Sequence, residues 1–227
     1  MNKKALIIGN SDGIGLAVSR SLLNQSWQIV GISRSPSPIA DSAYIHYTTE
    51  VQKKVYLNNL RTIAKNNGPF DLCIYSVGIG ELLDVSDMSG EIQIVDVNLM
   101  GMIRTASVII PYMVEQAAGH FIGISSVADN LISPEAPGYH ASKAGFSTYL
   151  ESLALALKGT GVAVTNLRFG FVDTKMAKGD VRPFMISVDR AVDHICACIS
   201  KKPARYTAPK IVIPLVKFRD FILRRKL

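Results

Sequence analysis

Apolar runs of four to seven residues alternate along this chain with longer stretches of helical periodicity, and few architectures accept that alternation. Lys4 to Ile8 reads as a strand, a glycine-rich turn follows, and Leu16, Val18, Leu22 and Leu23 then recur at helical spacing. Trp27 to Ser33 is a second β-like run and Tyr44 to Tyr47 a weak third. Phe70 to Tyr75, Phe121 to Ser125 and Val162 to Leu167 read as buried strands. Between and after them the pattern predicts helices over about 51–66, 90–117, 137–158 and 188–200. Strands that are apolar throughout are covered on both faces, which a parallel sheet with crossover helices achieves.

The expected fold class is therefore α/β: a single-domain doubly wound parallel sheet of Rossmann type over residues 1–227. A length of 227 residues suits one hydrophobic core, and 48% apolar against 19% charged residues excludes intrinsic disorder. No uncharged apolar run reaches the ~18–20 residues of a membrane helix, and the start Met1-Asn2-Lys3-Lys4 leads into too short an apolar run for a signal peptide. Cys73, Cys196 and Cys198 fit neither a disulfide framework nor a zinc site, so no metal is expected and a cytoplasmic setting is. The formal charge of +7 is unevenly placed: residues 1–200 hold 16 Lys or Arg against 17 Asp or Glu, and residues 201–227 hold 9 against Asp220 alone. A basic tail on a near-neutral body removes the main support for nucleic-acid binding.

Two clusters carry chemistry. In Gly9-Asn10-Ser11-Asp12-Gly13-Ile14-Gly15, between a strand and a helix, glycines permit a sharp turn and close approach to a diphosphate. The free N–H groups at the helix N-terminus would stabilise its charge. An ordinary strand-to-helix turn is the plain alternative. In Tyr139-His140-Ala141-Ser142-Lys143, positions i and i+4 share a helical face ~5–6 Å apart, so the Lys143 ammonium is expected to lower the Tyr139 pKa and make it a usable acid or base. Ser126, at the end of the Phe121–Ser125 run, should share a sheet edge with the glycine turn. After the second strand, Ser33-Arg34-Ser35 offers no carboxylate for a ribose 2′-hydroxyl, while Arg34 presents a planar cation suited to a 2′-phosphate.

Together these motifs resemble the short-chain dehydrogenase/reductase family, of the short type, over about residues 4–200. Gly9, Gly13 and Gly15 match its cofactor turn, and Asn98, Ser126, Tyr139 and Lys143 match its catalytic tetrad. Gly170 and Thr174 match the segment beside the nicotinamide. Departures are Ile8 for threonine, Tyr75-Ser76-Val77-Gly78 for Asn-Asn-Ala-Gly, Thr48 for an adenine-facing aspartate, and Phe169 for proline. The resemblance implies hydride transfer between a nicotinamide and a carbonyl or alcohol, with Tyr139 as proton donor or acceptor. Ser126 would hold the substrate oxygen, Lys143 would bind the ribose, and Asn98 would hold a water. The cofactor contacts it implies are Gly9, Ser11, Asp12, Gly13, Ile14, Gly15, Ser33, Arg34, Ser76, Gly78, Tyr139, Lys143, Gly170, Val172 and Thr174. NADP(H) is favoured, and NAD(H) is the other candidate. A homodimer or homotetramer is implied.

A rival reading is a non-catalytic nucleotide-sensing or scaffold protein of the same fold. The segment from Thr174 to Val188, about thirteen residues, is a short lid, with Met176, Phe184 and Met185 as substrate-facing, core or interface residues. In the tail, 211–227, Leu215, Phe218, Ile222 and Phe221 form an apolar stripe among basic residues. That stripe either docks on the body or on another subunit, or makes peripheral contact with a membrane.

Overall fold

The computed structural model describes residues 2–177 and 182–225. Seven parallel strands form one sheet: β1 (Lys4–Ile8), β2 (Gln28–Ser33), β3 (Tyr44–Thr48), β4 (Leu72–Tyr75), β5 (Gly119–Ser126), β6 (Val162–Phe169) and β7 (Arg205–Ala208). They lie in the order β3-β2-β1-β4-β5-β6-β7. The order reverses at β1, which pairs with β2 on one side and β4 on the other, and such a reversal opens a crevice at the carboxyl ends of the strands. Register brings Ile8 level with Ile32 and Tyr75, and Ser126 level with Phe169. Every loop that follows these residues therefore leaves from the same edge.

Strand side chains alternate between two cores. On one side Leu6, Ile8, Val30, Ile32, Cys73 and Tyr75 pack against helices α2 (Tyr56–Asn67), α4 (Gly101–Glu115) and α5 (Pro137–Ala156). On the other, Ala5, Ile7, Ile29, Leu72, Ile74 and Leu167 pack against α1 (Gly13–Leu23) and α6 (Val188–Lys201). Burial on both faces explains why these strands are apolar at successive positions. The expected α/β class and doubly wound sheet are what the chain adopts.

Boundaries differ where tertiary contacts override local pattern. The second helix starts at Tyr56, because Val51 is a buried turn residue and not part of a helical face. The helix expected over 90–117 is three pieces: α3 (Ser89–Val95), a π-helical turn (Asp96–Met100) and α4. By length and composition, Ser89–Glu115 could cross a membrane, yet Ile94, Val97, Met102, Ala106, Ile109 and Met113 are buried within the protein. Strand β7 and the tail helix α7 (Val212–Arg224) complete the fold.

Candidate active site

The turn from β1 to α1 is held by its own backbone. Gly9 takes φ +89°, which only glycine adopts without strain, and its N–H donates to Ile32 O at 2.7 Å. Gly15 lies against the Gly9 carbonyl so closely that a Cβ there would collide with it. Ser76 donates to Ile8 O at 2.8 Å and lies 3.0 Å from Gly9 O, so this hydroxyl ties the end of β4 to the turn. Asp12 caps α1, accepting from Gly13 N at 2.8 Å, and pairs with Lys175 at 2.7 Å. The Lys175 contact and then the cap lower the Asp12 pKa. Asp12–Lys175 thereby joins the glycine turn to the segment after β6, where the Thr174 methyl faces Gly13. Ser11 and Ile14 are half-buried in this turn.

Helix α5 starts with Pro137 at its first turn, and the Gly138 N–H donates to the Glu91 carboxylate of α3 at 2.5 Å. The next residue is Tyr139. One turn on, Lys143 is buried, donates to Ile124 O at 3.1 Å and lies 5.9 Å from the Tyr139 ring centre. Burial lowers the Lys143 pKa to about 8, against a smaller opposing effect of Asp129. The expected lowering of the Tyr139 pKa is not what the surroundings produce. Burial raises it, the neighbouring Ser126 hydroxyl opposes that rise, and Asp129 adds to it. Desolvation of the phenol is the largest of these effects.

Asn98 sits in the π-helical turn, a local distortion often found at functional sites. Its Oδ1 accepts from Ile79 N at 2.8 Å, and its Nδ2 donates to Ile79 O at 2.9 Å and Ser142 Oγ at 3.0 Å. The amide is thus spent on positioning the loop after β4 and helix α5. That loop carries Gly78, where a Cβ would lie 3.6 Å from Asn98 Oδ1, 3.8 Å from Lys143 Nζ and 3.5 Å from the Met176 methyl. A Cβ at Gly80 would lie 3.1 Å from the Tyr139 ring. Asn98, Ser126, Tyr139 and Lys143 are therefore brought together with Gly78, beside the glycine turn. Of the segment after β6, Gly170 N donates to Ala208 O at 3.0 Å, and the Val172 side chain is buried in the core.

At the end of β2, Ser33 is buried with its hydroxyl on Ser35 O at 2.7 Å, and Arg34 is exposed with no ion pair among the described residues. Behind it lies a polar chain not evident from sequence: Asn10 Nδ2 donates to Tyr44 Oη at 2.6 Å, and Tyr44 Oη meets His46 Nδ1 at 2.9 Å. His46 Nε2 then lies 3.3 Å from Ser33 Oγ. Asn10 Oδ1 is buried without a partner among the described residues. Sequence reasoning also missed Asp129, which receives a bidentate, buried contact from Arg168 and a hydrogen bond from Ser147. That pair fixes the turn that follows Ser126 against β6. Met176, Phe184 and Met185 are exposed, so they are not core, and residues 178–181 of the expected lid lie outside the described residues.

The sequence model of the family described as short chain dehydrogenase matches residues 3–183. The chain belongs to the short-chain dehydrogenase family. An uncharacterized oxidoreductase of Myxococcus xanthus is 29% identical over 227 residues, covering 93% of this chain and 90% of that protein. Among solved structures, a short chain dehydrogenase from Burkholderia cenocepacia in complex with NADP superposes with a TM-score of 0.87 at 19% identity, covering 100% of this chain and 98% of that one. A 4-hydroxyisoleucine dehydrogenase complexed with NADH gives 0.82 at 19% identity, covering 91% of this chain and 96% of that one. For this short-chain dehydrogenase both likenesses establish the doubly wound fold.

Proposed function

We propose that the chain is an NADP(H)-dependent oxidoreductase that transfers hydride between the nicotinamide and a carbonyl or alcohol substrate, with Tyr139 as proton donor or acceptor. The observation that carries this reading is the convergence, at the carboxyl edge of the sheet, of Asn98 and Lys143 against Gly78, Tyr139 against Gly80 and Ser126 beside Tyr139. The residues fit a dinucleotide: first-turn N–H groups of α1 lack intrahelical partners, and the cradle at Gly78 is one a side chain would fill. When bound, the nicotinamide supplies the hydride, and the protein supplies orientation and the proton. Ser126 orients the substrate oxygen. Tyr139, kept protonated at neutral pH by burial, is ready to donate, which suits carbonyl reduction. The reverse oxidation needs the phenolate and should gain as pH rises. Lys143 holds the ribose and the charge balance beneath the phenol. Asn98, its amide committed to Ile79 and Ser142, acts by shape, so any hold on water falls to its backbone.

Preference for NADP(H) rests on Arg34, exposed and in no ion pair among the described residues at the end of β2, where a 2′-phosphate would be read. Exposed Leu82, Val85, Phe184 and Met185 on the flanking loops support a bulky or apolar substrate. Free thiols at Cys73, Cys196 and Cys198 support a cytoplasmic setting. The test is NADPH oxidation with a panel of ketones, aldehydes and acyl-carrier substrates. Tyr139→Phe should keep NADPH binding and lose at least ~100-fold in turnover. Near-normal turnover in that variant overturns the proposal.

A further inference from the structure

We propose that α7 is a membrane-surface element whose outward face binds an anionic phospholipid surface, a role independent of the catalytic reading. The helix has two apolar faces. One is docked: Val212 is buried, Ile213, Val216 and Leu223 are half-buried, and α7 packs against the turn over 127–130. Asp220 fixes the docking by accepting from Ile132 N at 3.1 Å. The other face is open. Ile211, Leu215, Phe218 and Ile222 follow i, i+4, i+7, i+11 spacing, so they form one stripe, and they are 59%, 45%, 63% and 41% exposed. Phe221 widens that stripe at 56% exposure. The tail docks on the body, as one expectation held, and still presents an apolar stripe that the fold does not use.

Charge decides the occupant. At ~100° per residue, Arg219 falls on one flank of the stripe and Lys217, beyond Phe221, on the other, while Arg224 lies nearly opposite the stripe beside Asp220. The lone acid of the tail, Asp220, is turned inward and paired with Arg224 at 2.7 Å, and Arg225 stacks over Phe221 at 4.9 Å. An apolar centre between two basic flanks matches the layering of a lipid surface, hydrocarbon beneath phosphate, with long cationic side chains reaching sideways to the phosphates. A second copy of the chain is the poorer fit, since a two-fold axis through this face would set the same cations against one another. Lys226 and Leu227, the end of the expected tail, lie outside the described residues.

The test is co-sedimentation of the full chain with vesicles of phosphatidylcholine alone and with about a third phosphatidylserine. Binding is expected to the anionic vesicles, weakened at least about tenfold between physiological salt and ~1 M salt. Phe218→Glu, and separately Lys217→Glu with Arg219→Glu, should each reduce binding by at least about tenfold while melting temperature and sedimentation coefficient stay unchanged, because these side chains are exposed. Equal or absent binding to both vesicle types overturns the proposal. So does unimpaired binding by the variants. An oligomer that dissociates in Phe218→Glu would overturn it in favour of a second copy.

Discussion

Lys143 is a buried cation, and its burial works against stability. Burial moves its pKa to about 8 from an ordinary 10.5, so below pH 8 the folded protein holds a charge that the unfolded chain solvates better. The difference corresponds to a destabilisation on the order of 3 kcal/mol at pH 7. Since the folded pKa is the lower one, the unfolded state binds more protons between pH 8 and 10.5, and the protein should gain stability as pH rises through that window. Lys143→Met should therefore raise stability at pH 7 by about 1–3 kcal/mol, flatten the rise above pH 8 and abolish turnover. Denaturant titrations at several pH values check this, and a less stable variant would contradict it. At Arg34 the expectation concerns specificity. Arg34→Asp should weaken NADPH by the ~1.5–3 kcal/mol of a charge-assisted contact and leave NADH binding unchanged or better. Titration with both cofactors decides, and equal NADPH affinity in both proteins would argue against phosphate recognition at this residue.

At the scale of elements, the residues proposed to act are only as well placed as the helices that carry them, and α5 is anchored by a residue of another helix. Glu91 of α3 accepts from Gly138 N, one residue before Tyr139, and an anionic cap at a helix N-terminus stabilises it by both hydrogen bond and dipole. Glu91→Ala should cost about 0.5–2 kcal/mol and lower kcat more than it raises KM, whereas Glu91→Gln, which keeps an acceptor, should do less. Thermal melts and kinetics together test it, since a purely structural cap would leave kcat alone. Neither Glu91 nor Asp129 was legible in the sequence, because their partners stand 47 and 39 residues away and no local pattern encodes the contact. Tyr139 and Lys143 were legible because helical spacing alone puts them on one face. The sheet was legible for a similar reason, since strands covered on both faces, such as β1 and β4, are apolar at successive positions. Strand β7 was missed because it is four residues long at the sheet edge and includes exposed Arg205. The π-helical turn at Asn98 was missed because its sequence keeps helical composition through the distortion.

At the scale of the whole molecule, the exposed surface of α4 and α5 is poor in charge. The exposed residues of α5 after its first turn are Ala141, Thr148, Ser152, Leu155 and Ala156, with no charge among them. On the neighbouring α4, Ser107, Pro111, Tyr112 and Val114 are exposed, and Glu115 alone is charged. A water-facing helix in a monomer normally alternates in charge, and depletion of charge with retention of Tyr and Leu is the composition of an interface core. Small residues at Ala141, Thr148 and Ser152 also let two helices approach closely about a symmetry axis, where each residue meets the same surface of its mate. The α7 stripe carries the opposite signature, apolar but flanked by cations, so the two faces are expected to serve different partners. The full chain should therefore sediment as a dimer or tetramer at micromolar concentration, and Ser152→Arg should split it by placing like charges across the axis. Because Ser152 is exposed in the isolated chain, that substitution leaves the core intact, and the dissociated protein should keep its secondary structure. Sedimentation velocity on wild type and variant checks this: a monomeric wild type would exclude the interface, and an unaffected oligomer in Ser152→Arg would move it to another face.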